Sequence, residues 1–401
     1  MIPLINALKI VARKIPRLGN ERIGLGDAVG RVLAEDILAD DDQPPFDRSM
    51  MDGFAVYASD IANAPATLKI VGESAAGRGW HKKLRRGEAI RIMTGAPVPT
   101  GADTVQRVEL TRSFFEGGTE FVEILEAATK GMSIVKKGSE IRRGKRLFFV
   151  GDRVTPQNIA ALAAFGYAKV LVAKRPRVAI FGTGTEIVEI GKRPGADQIR
   201  NSNSITLAAL SASFGATAEI FPNAKDDLAS LKKQIKSAIR GRDILITTGG
   251  VSVGKYDLTK AALTELGAEI FFEKVALKPG KPVIAARLGK TLVFSLPGNP
   301  VSAAVTFYLF VRTAILGMQG VRSTGMRRGT AVLSDAVKGA KDRRTLAAAH
   351  LANDDLGKLA AIPLRGKGSS DLVSFARAEA LIDLEIGTSA EAGSLVQILY
   401  L

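Results

Sequence analysis

Three glycine-rich stretches and one lysine-bearing turn carry the residues best suited to chemistry. Gly182-Thr-Gly-Thr-Glu186, Thr248-Gly-Gly-Val-Ser-Val-Gly-Lys-Tyr-Asp257 and Leu296-Pro-Gly-Asn-Pro-Val-Ser302 each follow a short apolar run. Glycines such as Gly249 and Gly250 let backbone amides approach a phosphate or another oxyanion closely. In the third stretch Asn299-Pro300 supplies a cap and a first-turn proline, which puts a helix N-terminus at the strand end. A tight strand-to-helix turn explains each stretch taken alone. Lys278 and Lys281 sit three residues apart across Pro279-Gly280, so both ammonium groups can grip one anion. Glu186, Asp226, Asp227 and Asp257 bring carboxylates near the same strand ends, a donor type that holds Mg²⁺ together with phosphate oxygens. Helix capping is the competing role for Asp226 and Asp257.

Composition removes other chemistries. The 401 residues contain no Cys and two His, His81 and His350, which excludes a disulfide framework, a Cys/His zinc site and a thiolate nucleophile. A histidine triad is a poor fit, because no nucleophile-elbow pattern lies beside either His. The formal charge of +16 predicts an anionic partner. Basic residues cluster at Arg78–Arg91, Lys136–Arg146 and, more thinly, Arg322–Arg344. With one Trp and five Tyr, no aromatic platform is interleaved with them, so solvated faces are preferred to nucleic-acid binding. The longest apolar stretch, Ala303–Val311, falls short of the ~20 residues of a membrane span. The start of the chain lacks the pattern of a secretory leader, and a cytoplasmic protein is expected.

The elements that position these residues can be read from periodicity. Leu4, Ile5, Leu8, Val11, Ala12 and Ile15 predict an amphipathic first helix. From about 40 to 147 short apolar runs broken by Gly and Pro predict a β-rich insert, with a hairpin over Phe115–Phe121. A helix capped by Thr155-Pro156 follows, burying Ile159, Leu162 and Ala163 and stopping at Gly166. From Arg177 strands and helices alternate: strands at 178–181, 218–221, 244–247 and 292–296, helices from Ser204, Asp226, Asp257 and Pro300, and an apolar run at 270–277. A doubly wound, mostly parallel sheet is predicted, with ligands beyond the carboxyl ends of its strands. The remainder, from about Gly325, reads as a small β domain.

Pro45-Phe-Asp-Arg-Ser-Met-Met-Asp-Gly-Phe-Ala-Val56 is the most distinctive segment, although Asp52-Gly53 alone is also a plain turn. Together with Arg91-Ile-Met-Thr-Gly-Ala-Pro-Val-Pro-Thr-Gly-Ala-Asp103, Thr248–Asp257, Lys278-Pro-Gly-Lys-Pro282 and Leu296-Pro-Gly-Asn-Pro-Val-Ser-Ala303, it resembles the molybdopterin molybdenumtransferase family, which includes the C-terminal domain of gephyrin. The resemblance spans the whole chain. It implies an elongated homodimer of four-domain subunits: a discontinuous domain (1–39 plus 145–174), a β-rich insert (40–144), an α/β domain related to molybdopterin adenylyltransferase (175–324) and a C-terminal β-barrel (325–401). The implied reaction inserts molybdate into adenylylated molybdopterin with release of AMP and uses Mg²⁺. The adenylyltransferase is the implied upstream partner, and neither nucleic acid nor membrane is expected.

By the same resemblance Asp52 and Thr94 come to the active site from the insert, Asp52 from the partner subunit. Glu186, Asp226, Ser252 and Asp257 match the nucleotide and metal side, with Glu186 and Asp257 as metal ligands. Lys278, Lys281 and Ser369 match the molybdate side, and Gly249, Gly250, Pro297, Asn299 and Pro300 belong to the substrate-binding loops. Asp52, Asp257, Glu186, Lys278 and Lys281 are the implied catalytic residues. Three positions depart from the family: Glu140 replaces Asp, Thr185 replaces a frequent Asp, and Ala348 stands where an Arg of the molybdate pocket is expected. Either the molybdate grip is weakened or His350 or Arg344 compensates. A weakly active or non-catalytic paralogue that binds molybdopterin as a scaffold is the alternative reading, and molybdate and tungstate are not separated.

Overall fold

The computed structural model describes residues 1–250, 258–354, 356–364 and 368–401. Two compact units are present, one formed by residues 1–35, 150–159 and 169–401, the other by 36–149 and 160–168.

The second unit is built on a six-stranded sheet of β1 (Gly53–Val56), β2 (Ala66–Ser74), β3 (Glu88–Ile92), β4 (Thr104–Arg107), β5 (Thr111–Glu116) and β6 (Thr119–Ile124), in the order β4-β1-β3-β2-β6-β5. Strand alternation divides its apolar residues between two cores. Phe54, Val56, Leu68, Val122 and Ile124 pack on one face, and Ala55, Ile90, Ile92 and Val105 on the other. The predicted hairpin joins β5 to β6 over Gly117 and Gly118. Gly53 is not in a plain turn but opens β1, and a Cβ there would lie 1.9 Å from the Gln106 carbonyl oxygen on β4. Only glycine allows those two backbones to approach so closely.

The first unit opens with α1 (Leu4–Lys14). Its buried stripe is Leu4, Ala7 and Val11, with Leu8 and Ile15 half-buried; Ile5 and Ala12 are exposed, lying off the stripe that the helical period turns inward. α2 (Pro156–Ala164), divided between the two units after Ile159, begins where the Thr155 side chain accepts from the Asn158 amide, and it buries Leu162, half-buries Ile159 and leaves Ala163 exposed.

The α/β sheet contains β7 (Arg177–Gly182), β8 (Thr217–Ile220), β9 (Ile244–Thr248), β10 (Glu269–Lys274), β11 (Pro282–Leu288) and β12 (Thr291–Leu296), in the order β8-β7-β9-β12-β11-β10. The first four in that order are parallel, whereas β11 and β10 continue antiparallel. Both faces are covered. Val178, Ile180, Ile244, Ile246 and Phe294 pack with α1 and α3 (Ser202–Ser213), while Ala179, Phe181, Leu245 and Val293 pack with α4 (Leu228–Ala238) and α5 (Leu258–Glu265).

α6 (Pro300–Thr306), one π turn (Phe307–Val311) and α7 (Arg312–Met318) run on as one helix. These 19 residues, of mean hydropathy 1.6, reach the length and apolarity of a membrane span, but 83% of the apolar window is buried inside the protein. Arg312, which ends the apolar run in the sequence, donates to the Thr324 carbonyl and lies over the Phe214 ring.

The C-terminal strands β13 (Arg328–Leu333), β14 (Arg344–Asn353), β15 (Leu359–Pro363), β16 (Ala380–Leu384) and β17 (Leu395–Tyr400) form a closed five-stranded barrel, running β14-β15-β13-β17-β16 and back to β14. Its interior holds Ala331, Leu333, Ala349, Ala361, Ile382 and Ile398.

Candidate active site

Parallel strands end on the same side, so the loops after β7, β9 and β12 converge. They line a cavity of about 970 Å³ with Thr183, Gly184, Glu186, Gly249, Gly250, Pro297, Asn299 and Pro300 on its walls. Asn203 fastens two of these loops: its Nδ2 donates to Thr248 Oγ1 at 2.8 Å and to the Gly298 carbonyl at 2.7 Å. Gly249 has φ +90°, and a Cβ on it would meet the Thr183 carbonyl oxygen at 2.5 Å. The loop therefore presses its backbone against its neighbour at this point of the cavity wall.

Asp226 and Glu186 both face this cavity. Asp227, not Asp226, caps α4, accepting from the Ser230 amide at 2.8 Å. Asp226 instead accepts from the Thr185 amide at 3.1 Å, which ties it to the loop after β7. Among the described residues no three His, Asp or Glu side chains converge, and Glu186 and Asp226 are the carboxylates that line this cavity. Ser252 and Asp257 lie outside the described residues.

Lys278 and Lys281 are brought to the same sheet end by the antiparallel edge. Because β11 runs against β12, pairing Ile284 with Ser295, its first residues lie beside the carboxyl end of β12. The turn that precedes β11 is thus placed next to the loop after β12. Leu277–Lys278 also pairs with Arg344–Thr345 of β14, which joins this turn to the barrel. A second cavity, of about 510 Å³, opens here, lined by Lys278, Lys281, Lys338, Arg343, Ala348 and Ser369 among others. Pro282, Pro297 and Asn299 line both cavities. Asn299 occupies the N-cap position of α6 without making a cap bond; its Nδ2 donates to Ser369 Oγ at 2.9 Å. The expected cap is a clip between the α/β sheet and the barrel.

Neither residue expected to compensate for Ala348 is available. Arg344 grips Asp383 with two nitrogens, at 2.6 and 2.9 Å, and Glu385 with the third. His350 pairs with Glu379 at 2.6 Å on an exposed part of β14.

In the other unit Asp52 Oδ1 accepts from the Thr94 amide at 2.6 Å and from Thr94 Oγ1 at 2.8 Å. These two bonds, the backbone one first, hold the fully exposed carboxyl below the usual carboxylate range. Met50, Met51 and Met93 stand exposed in the same segments. Glu140 accepts from Arg48 at 3.1 Å. Lys136, Arg91 and Arg146 of the basic clusters pair with Asp47, Glu120 and Asp36.

Along its whole length the chain has a counterpart of the same design. A molybdopterin molybdenumtransferase of Bacillus subtilis is 39% identical over 404 residues, covering 99% of this chain and 94% of that protein. The chain belongs to the molybdopterin molybdenumtransferase family. It is a transferase of molybdenum cofactor biosynthesis, acting by molybdenum insertion. Residues 2–166 match the "MoeA N-terminal region (domain I and II)", 179–317 the "Probable molybdopterin binding domain" and 330–401 the "MoeA C-terminal region (domain IV)". A molybdopterin molybdenumtransferase of Staphylococcus epidermidis is 33% identical over 98% of this chain and 94% of its own. The crystal structure of a molybdopterin biosynthesis MoeA protein from Pyrococcus horikoshii superposes with a TM-score of 0.84 at 32% identity, covering 100% of this chain and 99% of that one.

Within this molybdenumtransferase, residue-type reasoning missed Asn203, Lys225 and Arg200 in the glycine-walled cavity and Lys338 and Arg343 in the lysine-bearing one. Asn201-Ser-Asn203 was open to view as a cap signal: Asn201 accepts from the Ser204 amide at 3.0 Å. Lys338 and Arg343 lay in the thin basic stretch that was expected to be a solvated face, because only barrel closure brings them to the Lys278 turn.

Proposed function

We propose that the protein takes adenylylated molybdopterin and molybdate, hydrolyses the phosphoanhydride with water as the acceptor and AMP as the leaving group, and leaves molybdenum on the dithiolene sulfurs, molybdate oxygen departing as water with the thiol protons. The observation that carries this reading is the shared wall. A cavity of glycine loops, the carboxylates Glu186 and Asp226 and the cations Arg200 and Lys225 adjoins a cavity lined by Lys278, Lys281, Lys338 and Arg343 across Pro282, Pro297 and Asn299, so a nucleotide and an oxyanion can be held side by side. Loop amides after β7 and β9 bind phosphate oxygens, and Lys278 and Lys281 neutralise the molybdate charge. Asn203 and Asn299 keep the loops in register.

Mg²⁺ fits the carboxylate side: Glu186 would hold it with Asp257, Asp226 lying at the same wall. When bound, it spreads the charge of the phosphate oxygens. The subunits work as a homodimer, with Asp52 of the partner subunit completing each site. Thr94 keeps that carboxylate ionised and oriented. Molybdopterin adenylyltransferase supplies the substrate.

Incubation with adenylylated molybdopterin, Mg²⁺ and molybdate should release AMP in proportion to molybdenum bound. Mixing an Asp52→Ala chain with a Lys281→Ala chain should restore activity once subunits exchange. AMP release that ignores molybdate would defeat the reading, and mixtures that stay inactive despite verified exchange would defeat the shared site.

A further inference from the structure

The lysine-bearing cavity has a wall position, Ala348, that offers no charge where a guanidinium was expected. Arg344 and His350 are committed to Asp383, Glu385 and Glu379. One arginine of the lining is differently placed. Arg343 Nε donates to Asp342 Oδ1 at 3.1 Å, and its two terminal nitrogens have no partner among the described residues. Arg343 lies in the bend that leads into β14 and lines the cavity with Thr345, while Arg344 between them turns to Asp383 on β16. Lys338 lines the same wall. Among the described residues of the lining the carboxylate is Asp371, which accepts from the Ser374 amide and hydroxyl at 3.0 and 2.9 Å, against the four cations Lys278, Lys281, Lys338 and Arg343.

We infer that Arg343 supplies the guanidinium of the oxyanion pocket, replacing the arginine absent at position 348, with Lys338 as a further cation. A guanidinium presents two parallel N–H donors to a tetrahedral oxyanion, which neither lysine of the turn can do. Asp342 orients it through Nε, the nitrogen that leaves the terminal pair free. Arg343 hydrogen bonding holds the Asp342 carboxyl below the usual carboxylate range, with the Lys281 charge adding to it. This inference rests on the reading of the cavity as the molybdate site.

The test is calorimetric titration of the full-length protein with molybdate, with AMP release followed against molybdate concentration. Arg343→Ala should raise the dissociation constant roughly ten- to a hundredfold, the worth of one charge-assisted pair. Arg343→Lys, which keeps the charge and loses the fork, should recover part of it. In the Arg343→Ala background, Ala348→Arg should restore most of the affinity, whereas Ala348→Arg alone should gain little. Arg328→Ala, an exposed arginine elsewhere on the barrel, serves as the charge control and should not move the curve. The inference is overturned if folded Arg343→Ala and Arg343→Lys proteins bind molybdate as the unaltered protein does. It is equally overturned if Ala348→Arg alone tightens binding about tenfold. Failure of the unaltered protein to bind molybdate would instead remove the molybdate site itself, and this inference with it.

Discussion

The glycine-walled cavity takes most of its walls from loops at the strand ends of one sheet and the helices that follow them, whereas the lysine-bearing cavity is assembled from a turn and a loop of that sheet together with separate stretches of the C-terminal region. In the first, backbones are pressed together: Gly249 lies where a Cβ would strike the Thr183 carbonyl oxygen. In the second, charges are held apart on a frame of hydrogen bonds, such as Asn299 to Ser369. The difference teaches that the two should fail differently. Steric change should destroy the first abruptly, and charge change should weaken the second by degrees and more strongly at low salt.

The sharpest break is Gly249→Ala. A left-handed φ and a contact of 2.5 Å with backbone cannot both be relieved in place. Strain of this kind costs about 1–3 kcal/mol, and a displacement of ~1 Å at the loop costs about a hundredfold in rate. Urea denaturation and AMP release should show both losses. Little change in either would mean that the glycine-walled cavity is softer than its geometry implies.

Asn203→Ala sharpens the comparison more gently. Two bonds are lost, to Thr248 Oγ1 and to the Gly298 carbonyl. At about 0.5–1.5 kcal/mol each, stability should fall by roughly 1–3 kcal/mol, and AMP binding should weaken while molybdate binding holds. Equal weakening of both ligands would mean that the cavities are mechanically one.

The smallest effect concerns the exposed Asp52. Its carboxyl is depressed by Thr94, so its contribution to stability is present above the unfolded value of about 4 and is lost as pH falls through the lower native value. Thr94→Val removes the hydroxyl donor and keeps the amide, so the titration should move part of the way back up. Carboxyl NMR shifts against pH measure this directly; an unmoved midpoint would mean that the amide alone sets it.

What could be read in advance follows the same division. The glycine-walled cavity was legible because β7, β9 and β12 repeat one local pattern, an apolar run followed by Gly, and parallel packing gathers such ends automatically. The helix was expected to start at Asp226, with capping as that residue's competing role, because either neighbouring carboxylate can start α4; the structure gives the cap to Asp227. The lysine turn stood out in the sequence, but its placement came from antiparallel β10 and β11, which apolar runs alone do not distinguish from parallel strands. Arg343 and Lys338 were illegible, since their role depends on the barrel closing and on Leu277–Lys278 pairing with β14.

The central claim is that adjoining cavities divide nucleotide from oxyanion, and Lys281→Ala tests it most directly. AMP and molybdate are titrated separately into the unaltered and the substituted protein by calorimetry. The account predicts molybdate affinity lower by roughly ten- to a hundredfold, with AMP affinity held within about twofold. Equal loss of both ligands, or loss of AMP binding alone, would contradict it.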